Sequence, residues 1–244
     1  RPTACVVSAH MSEEFAGRVA IVTGSSSGIG EQTARRLSAL GATVVVNSSS
    51  SVDAGEAVVA SLPGTAAYIR ADISNQDEAH ELIDSTVERF GQLDFLINNA
   101  GWTTEVPHHQ LDDLTDEIFR KTFEVNVFGT LAVAQRVAQA MKRKRSGRIL
   151  LVSSIAGVRA GAGSGPYSMT KHAMQAMGGV LRNELAPFGV DVALVNPGPF
   201  ATGFNDRMAN DPGPWFDPDT AYPEDVAIME SLRNRITVGQ LDPA

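Results

Sequence analysis

The stretch "TGSSSGIG", residues 23–30, follows an apolar run and precedes an amphipathic segment of the chain. Its glycines Gly24, Gly28 and Gly30 allow a sharp turn and a close approach of the backbone to a diphosphate, because no Cβ intervenes. A helix that follows would present free N–H groups and the positive end of its dipole to an anion. A tight turn capped by serines would use the same residues. The spacing differs from G-x-G-x-x-G, but the position favours nucleotide binding.

Outward from this turn, apolar runs alternate with helical patterns. The predicted strands are 18–24, 42–47, 66–72, 93–99, 147–154 and 190–198. The predicted helices are 28–40, 53–61, 75–90, 112–142 and 167–187. This alternation predicts an α/β fold, a doubly wound parallel sheet in a Rossmann-like, three-layer single domain. Right-handed crossovers would bring the carboxyl ends of all strands to one edge, where such sheets bind ligands.

Composition limits the classes of protein that this chain can belong to. It has 244 residues, 43% of them hydrophobic, which suits one packed domain. With 28 acidic against 20 basic residues the net charge is −8, which argues against nucleic acid as a partner. No apolar run approaches the roughly 18 residues that a membrane span needs, so no membrane partner is expected. The single cysteine, Cys5, cannot form an internal disulfide and suits a reducing cytoplasm.

The sequence "PYSMTK", residues 166–171, places Tyr167 and Lys171 four positions apart. On a helix both lie on one face, about 6 Å apart, although two amphipathic residues of a surface helix would show the same spacing. A free tyrosine titrates near 10, and a cation at about 6 Å would lower its pKa by roughly two units at an effective dielectric near 20. The pair could then act as an acid or base near neutral pH.

Further motifs occur in a fixed order: "NNAG" at 98–101, "VSS" at 152–154 and "NPGPFAT" at 196–202. Together with T-G-x-x-x-G-I-G and Y-x-x-x-K, they cover roughly 18–202 and resemble the short-chain dehydrogenase/reductase family. The resemblance implies a nicotinamide-dependent oxidoreductase that moves hydride between the cofactor and a small carbonyl or alcohol substrate. It also implies a homodimer or homotetramer that pairs through the two long helices.

Four residues match the family's catalytic positions: Asn126, Ser154, Tyr167 and Lys171. By resemblance, Tyr167 is the acid/base, Ser154 orients the substrate, and Lys171 tunes the tyrosine and holds the nicotinamide ribose. Ser153 competes with Ser154, since neighbours on a strand point to opposite faces. Asn126 is expected to hold a water that relays protons to Lys171, although a buried amide satisfied by nearby backbone is the alternative.

The resemblance also assigns the positions that would contact the cofactor. They are Gly24, Ser26, Ser27, Gly28, Ile29, Gly30, Ser48, Asp72, Ile73, Asn99, Ala100, Gly101, Tyr167, Lys171, Pro197, Gly198 and Thr202. Ser48 stands where a carboxylate would grip a ribose 2′-hydroxyl, and the next acid is Asp53. This favours NADP(H) over NAD(H), although Ser27 stands where an arginine would grip a 2′-phosphate firmly.

Other readings of the sequence remain open. A non-catalytic dinucleotide-binding sensor or scaffold would use the glycine-rich turn but needs none of the four catalytic positions. An epimerase or dehydratase usually has a larger C-terminal substrate region. His108 and His109 are adjacent, so no metal site is expected. The aromatic residues that could line a substrate pocket are Trp102, Phe200, Phe204, Trp215 and Phe216.

The two ends of the chain depart from the family pattern. Residues 1–10 read as an added or misassigned extension before Met11, which leaves 11–244 as a single Rossmann-like oxidoreductase domain. "PEDVA" at 223–227 is present, but "ITVGQLDPA" lacks the usual seventh strand with its glycine pair. The C-terminus is therefore expected to be different or truncated.

Overall fold

The computed structural model describes residues 13–103, 114–161, 165–204, 219, 222–237 and 240–243. The expectations for the extension 1–10, for His108 and His109, and for Trp215 and Phe216 lie outside these residues. The division into an extension and one domain therefore stays a prediction. Within the described part of the chain, no helix combines the length and the apolar character required to span a bilayer.

Six parallel strands form one sheet in the order β3-β2-β1-β4-β5-β6. The strands are β1 (Val19–Val22), β2 (Thr43–Ser48), β3 (Ala66–Arg70), β4 (Phe95–Asn98), β5 (Gly147–Val152) and β6 (Val190–Val195). The order reverses direction at β1 and β4, the switch point at which ligands bind in doubly wound sheets. The predicted fold class is confirmed. Several strands end earlier than predicted, because the polar residues after Val152 and Val195 leave the sheet for the loops of the site.

Helices cover both faces of the sheet, and side chains alternate between them. The helices are α1 (Gly28–Ala39), α2 (Val52–Ser61), α3 (Gln76–Phe90), α4 (Asp116–Phe123), α5 (Thr130–Lys144), α6 (Gly165–Leu185) and α7 (Pro223–Thr237). Val44 and Val46 of β2 pack towards α1 and α2, whereas Val45 faces the side of α3, α5 and α6. These strands carry continuous apolar runs because both faces are buried.

The single helix predicted over 112–142 is divided in the structure. Helix α4 begins after Thr115, whose hydroxyl caps the Ile118 N–H at 3.4 Å. A π-helical segment, Glu124–Gly129, then separates α4 from α5. Gly129 lies so close to the loop after β3 that a Cβ there would stand 2.7 Å from the Ile73 carbonyl oxygen. The π segment therefore lies where the chain between α4 and α5 closely contacts the loop after β3. This loop belongs to the carboxyl edge of the sheet, at which the sequence motifs are also found.

A buried carboxylate ties together the opposite edge, at the amino ends of the strands. Asp94 is 2% exposed and accepts hydrogen bonds from the Val19 N–H at 2.9 Å, from Arg18 at 3.1 Å and from Lys144. Its own carbonyl accepts from the Arg148 N–H at 2.9 Å. Burial alone raises the pKa of Asp94, but the hydrogen bonds from Lys144, Val19 and Arg18 outweigh it and lower the pKa overall. Asp94 thus joins β1, β4 and β5 at their starts.

Candidate active site

The glycine-rich turn after β1 touches two other motifs through its glycines. A Cβ at Gly24, where φ is +61°, would stand 2.8 Å from the Ala100 Cα. A Cβ at Gly28, where φ is +60°, would stand 3.0 Å from the Thr202 Cβ. Only glycine adopts these angles readily and permits these contacts. The turn therefore sits between the loop after β4 and the loop after β6.

The "NNAG" segment is held against this turn by Thr23. The Thr23 hydroxyl accepts from the N–H groups of Asn99 and Ala100 at 2.9 and 3.0 Å and donates to Asn98 Oδ1 at 3.1 Å. The Asn99 side chain donates to the carbonyls of Thr23 and Gly24, both at 3.0 Å. Asn98 donates onward to the Thr130 carbonyl at 2.8 Å. Asn98 therefore links β1, β4 and α5, while Ala100 and Gly101 follow it as half-buried residues.

The serines of the turn divide into a structural one and two that face outward. Ser25 is buried, donates to the Val22 carbonyl at 2.6 Å and accepts from the Asn47 N–H at 3.0 Å. Ser27 is exposed at the N-cap of α1, but its side chain makes no capping hydrogen bond. Ser26 and Ile29 are half-buried beside it. The start of α1 thus keeps the Ser27 hydroxyl, in addition to its own N–H groups, for an anion.

Ser154, Tyr167 and Lys171 converge at the end of β5. The Ser154 side chain hydrogen-bonds the Tyr167 phenol and caps the Ala156 N–H at 3.1 Å. Lys171 Nζ lies 5.5 Å from the Tyr167 ring centroid. The ammonium donates to the Val152 carbonyl at 3.0 Å, and the residue is 3% exposed. A phenol, a neighbouring hydroxyl and a buried cation are therefore assembled around one point.

The Ser153 side chain points towards α6 and not towards the Tyr167 hydroxyl. Its hydroxyl donates to the Lys171 carbonyl at 3.2 Å and accepts from Gln175 at 3.1 Å. It is buried against α6, while Ser154 is half-buried beside the phenol. The two serines follow β5 and project in different directions, so only Ser154 stands at the Tyr167 hydroxyl.

Burial dominates the titration of the pair. Burial raises the pKa of Tyr167 to about 12, and the hydrogen bond with Ser154 opposes this rise. Burial lowers the pKa of Lys171 to about 8. The sequence predicted a lowered pKa for Tyr167 from the proximity of Lys171. The direction differs because desolvation of the phenolate outweighs the hydrogen bond with Ser154.

The Asn126 side chain is buried and makes three hydrogen bonds. Its Oδ1 accepts from the Trp102 N–H at 2.7 Å, and its Nδ2 donates to the Trp102 carbonyl at 2.8 Å and to Thr170 Oγ1 at 3.1 Å. The Thr170 hydroxyl in turn donates to the Tyr167 carbonyl at 2.7 Å. A Cβ at Gly101 would lie 3.5 Å from Asn126 Oδ1 and 3.8 Å from Lys171 Nζ, so these groups border the same space.

Thr170 is a residue that the sequence analysis missed. It is fully buried and lies directly before Lys171, three positions after Tyr167. The spacing alone could have placed its hydroxyl within reach of the Tyr167 carbonyl, since threonine in a helix commonly bonds to the preceding turn. The link to Asn126 depends on the packing of α6 against the π segment and could not be read from the spacing.

The ends of β2 and β3 carry the remaining residues on the adenosine side. Ser48 is 7% exposed, and its hydroxyl shares a 2.9 Å hydrogen bond with the Tyr68 hydroxyl. Asp72 lies two residues beyond β3, and its Oδ1 accepts from the Ser74 N–H and hydroxyl at 2.9 and 2.7 Å. Ile73 is buried beside it.

The loop after β6 lies on the side of the site opposite to the ends of β2 and β3. The Pro197 carbonyl accepts from the Ile155 N–H at 3.1 Å, and a Cβ at Gly198 would meet open space. Thr202 lies against Gly28, as described above. The Phe204 ring centroid lies 6.0 Å from that of Tyr167. Thr202 therefore lies beside the glycine-rich turn, and Phe204 lies beside the phenol.

These features fit a dinucleotide. A turn that a Cβ would obstruct, an unused N-cap hydroxyl and a helix N-terminus together suit a diphosphate. The distance from this turn to Lys171 is bridged by small residues of the "NNAG" loop. The arrangement can bind an anionic nucleotide and transfer a proton at Tyr167.

Comparison with known proteins gives a consistent result. The model of the family described as short chain dehydrogenase matches residues 18–213. A protein named as ketoacyl reductase 2 of the granaticin polyketide synthase of Streptomyces violaceoruber is 39% identical, with 91% of this chain and 92% of that protein covered. The 3-oxoacyl-[acyl-carrier-protein] reductase of a Synechocystis species is 36% identical, with 86% of each chain covered.

A solved structure shows the same fold with a nucleotide bound. It is a short chain dehydrogenase/reductase from Burkholderia phymatum in complex with NAD. Its TM-score is 0.80 at 26% sequence identity, with 94% of this chain and 83% of that chain covered.

Proposed function

This chain belongs to the short-chain dehydrogenase/reductase family and is an NAD(P)-dependent oxidoreductase that acts on CH–OH and C=O groups, and we propose that its chemistry takes place at Tyr167. The observation that carries this proposal is the convergence of Ser154, Tyr167 and Lys171 beside the "NNAG" loop. A non-catalytic protein that only binds a dinucleotide would not require a phenol, a hydroxyl and a buried ammonium group close together, so this arrangement favours an enzyme.

Tyr167 gives and takes the proton at the substrate oxygen. In the reductive direction its hydroxyl protonates the developing alkoxide, and in the oxidative direction it removes the alcohol proton. Ser154, already within hydrogen-bond reach of that hydroxyl, orients the same substrate oxygen. The bound nicotinamide cofactor would supply or accept the hydride.

Lys171 and Asn126 support the phenol. The ammonium, held by the Val152 carbonyl, stabilises the phenolate form of Tyr167 and is placed to hold a ribose hydroxyl. Both N–H groups of the Asn126 amide donate to Trp102 and Thr170, and its oxygen accepts from the Trp102 N–H, so the amide has only the second lone pair of Oδ1 left for a water. We therefore propose that this amide contributes by fixing the Trp102 backbone and, through Thr170, the start of α6.

The cofactor lies, in this proposal, across the switch point between β1 and β4. Gly24, Gly28 and Gly30 with Ser26, Ser27 and Ile29 hold the diphosphate. Asp72 and Ile73 border the adenine, Asn99, Ala100 and Gly101 border the adenosine ribose side, and Pro197, Gly198 and Thr202 border the carboxamide.

NADP(H) is proposed over NAD(H). The Ser48 hydroxyl, paired with that of Tyr68, ends β2 where a carboxylate would repel a 2′-phosphate. Two hydroxyls can donate hydrogen bonds to a phosphate, although less firmly than a guanidinium. A direct comparison of the two coenzymes in the assay below decides this point.

The substrate class follows from the relatives and the wall of the cleft. Two relatives are named as reductases of ketoacyl or 3-oxoacyl groups. Phe204 beside Tyr167 gives the cleft an apolar wall. We propose a ketone or 3-oxoacyl thioester with an apolar substituent as the substrate.

A homodimer or homotetramer is proposed through the α5–α6 surface, away from the site. A groove of about 840 Å³ lies there, lined by apolar residues such as Val127, Leu131 and Met177 and by polar ones such as Gln135 and Glu184. Val180 and Phe128 are 54% and 59% exposed. Exposed apolar patches of this kind mark protein interfaces, and light scattering would give the mass. A cytoplasmic location is also proposed, on the single cysteine of the chain.

The test follows absorbance at 340 nm with NADPH and NADH separately, against a panel of ketones and 3-oxoacyl thioesters. Tyr167→Phe keeps the ring against Phe204 but loses the acid/base hydroxyl. We expect kcat to fall by at least about a hundred-fold, while binding of the coenzyme changes little. Coenzyme binding without turnover by the parent protein across the panel would contradict the proposal.

A further inference from the structure

A short loop touches both halves of the proposed site. In the loop 199–204, Thr202 packs against Gly28 of the glycine-rich turn, where a Cβ would come within 3.0 Å. Two residues later, Phe204 lies 6.0 Å from Tyr167 between ring centroids. The position of this loop therefore sets the space between the diphosphate turn and the acid/base phenol.

A distant segment of the chain, 240–243, pairs with this loop. We name it the strap. Leu241 N–H donates to the Pro199 carbonyl at 3.0 Å, and the Ala201 N–H donates to the Leu241 carbonyl at 2.9 Å, in a parallel bridge between Phe200 and Leu241. The Leu241 side chain is 57% exposed. The attachment is thus made by the backbone of Leu241 and hardly by its side chain.

Hydrogen bonds within the loop continue from this attachment to the site. The Thr202 N–H donates to the Phe200 carbonyl at 2.9 Å. The Phe204 N–H donates to the Thr202 hydroxyl at 3.4 Å. Fixing residues 199–201 therefore restricts Thr202 and Phe204 as well, without any contact between the strap and Tyr167 being required.

We propose that Leu241 is a positioning residue: its backbone bonds hold the loop 199–204 in the place that accepts the nicotinamide end of the cofactor. The inference rests on the proposed function. Without these two bonds the loop 199–204 would be more mobile in the free protein. Binding of the cofactor would then have to order the loop, and the lost conformational entropy would weaken the affinity. The loss should fall mainly on the nicotinamide half, because the adenosine half is held by the turn after β1, which its own hydrogen bonds keep in place, and by the ends of β2 and β3.

Two substitutions at one position separate the backbone from the side chain. Leu241→Pro removes the N–H that donates to Pro199, whereas Leu241→Ala shortens an exposed side chain and keeps both bonds. Calorimetry measures the affinity of each protein for NADP⁺ and for 2′-phospho-ADP-ribose, which lacks the nicotinamide. NAD⁺ and ADP-ribose replace them if the parent prefers that coenzyme.

We expect Leu241→Pro to bind the whole coenzyme about ten-fold more weakly, equivalent to about 1.4 kcal/mol. The affinity for the fragment should change by less than about two-fold, and Leu241→Ala should resemble the parent on both ligands. Ala201→Pro removes the bond from the Ala201 N–H to the Leu241 carbonyl and should weaken binding of the whole coenzyme to a similar extent. Agreement between the two proline variants would show that the effect does not come from a folding defect at position 241.

The remaining outcomes overturn one proposal or the other. If both proline variants match Leu241→Ala, or weaken whole coenzyme and fragment equally, the strap does not position the nicotinamide end. If the parent binds neither the coenzymes nor their fragments, the proposed function falls and the role of Leu241 falls with it.

Discussion

At the scale of single residues, the Thr170 hydroxyl links two groups of the site that are distant in sequence. It accepts from Asn126 at 3.1 Å and donates to the Tyr167 carbonyl at 2.7 Å. Thr170→Val keeps the shape and removes both hydrogen bonds, so Asn126 loses a partner in a buried place. We expect kcat to fall about ten-fold, because a buried polar group that loses its partner costs about 1–3 kcal/mol, with little change in coenzyme affinity.

Thr170→Ser is the matched control, because it restores the hydroxyl in a smaller side chain. Turnover and its pH profile should return towards those of the parent, while Thr170→Val should show a displaced profile as Tyr167 shifts. Equal activity of the valine variant and the parent, or equal impairment of serine and valine, would contradict a role through hydrogen bonding.

Because of Lys171, the free energy of unfolding should depend on pH in the alkaline range. Because burial lowers its pKa to about 8 from the ordinary value of 10.5, the unfolded chain binds more protons than the folded one between these pH values. The free energy of unfolding therefore rises with pH across this window, by up to about 3 kcal/mol. The raised pKa of Tyr167, about 12, acts in the opposite direction only above about pH 10.

Urea unfolding of the parent and of Lys171→Met from pH 7 to 9.5 isolates this contribution. The difference in free energy, parent minus variant, should become more positive as pH rises. A difference that stays constant over the range would show that Lys171 keeps its ordinary pKa in the folded protein.

At the scale of the elements, the glycine-rich turn after β1 contains positive φ angles. The sequence predicts them, because glycine is the residue that adopts such angles readily. Gly24→Ala places a Cβ at a φ of +61° and 2.8 Å from the Ala100 Cα. We expect a loss of about 1–3 kcal/mol in stability from strain, together with weaker coenzyme binding as the "NNAG" loop moves away. Chemical unfolding and coenzyme titration measure the two effects.

Gly91→Ala provides the comparison. Gly91 ends α3 with a φ of +76°, and a Cβ there would meet nothing within 4 Å. It should therefore show the cost of the backbone angle alone and leave coenzyme binding intact. Equal coenzyme affinity of the two variants would mean that the contact with Ala100 is unimportant for the site.

The element that the sequence could not resolve is the π segment Glu124–Gly129. The residues of 112–142 have ordinary helical patterning, so one continuous helix was the natural prediction. The π turn accompanies tertiary contacts: Asn126 with the Trp102 backbone, and Gly129 with the Ile73 carbonyl. Such contacts between distant parts of the chain leave no periodic signal. The motifs, by contrast, predicted Tyr167 and Lys171 as neighbours because their spacing is local.

At the scale of the whole molecule, the strand–helix alternation was enough to predict the sheet and the edge at which the motifs meet. It could not predict the strap, since a bridge between Phe200 and Leu241 is made by backbone groups that every residue carries. Nor could it predict the buried Asp94, whose partners Arg18 and Lys144 come from distant elements.

Asp94 should make the molecule sensitive to acid. Its pKa is lowered in the folded state, so its stabilising effect is present above the ordinary value of 3.8 and is lost as the pH falls through the folded pKa. Asp94→Asn should cost about 1–2 kcal/mol at pH 7, because the partly exposed cations Arg18 and Lys144 lose a buried carboxylate that accepts their hydrogen bonds. The cost should shrink below about pH 4, as urea unfolding at several pH values would reveal. A cost that does not vary with pH would point to packing instead of charge.

The carboxylate at Asp94 and the phenol at Tyr167 belong to opposite rims of one rigid sheet. The hydrogen bonds of Asp94 therefore stabilise the fold at an edge that takes no part in the proposed chemistry. An engineer could strengthen the rim of Asp94 to tolerate heat or solvent while leaving the substrate scope unchanged, and could then use the added margin to remodel the loops on the other rim.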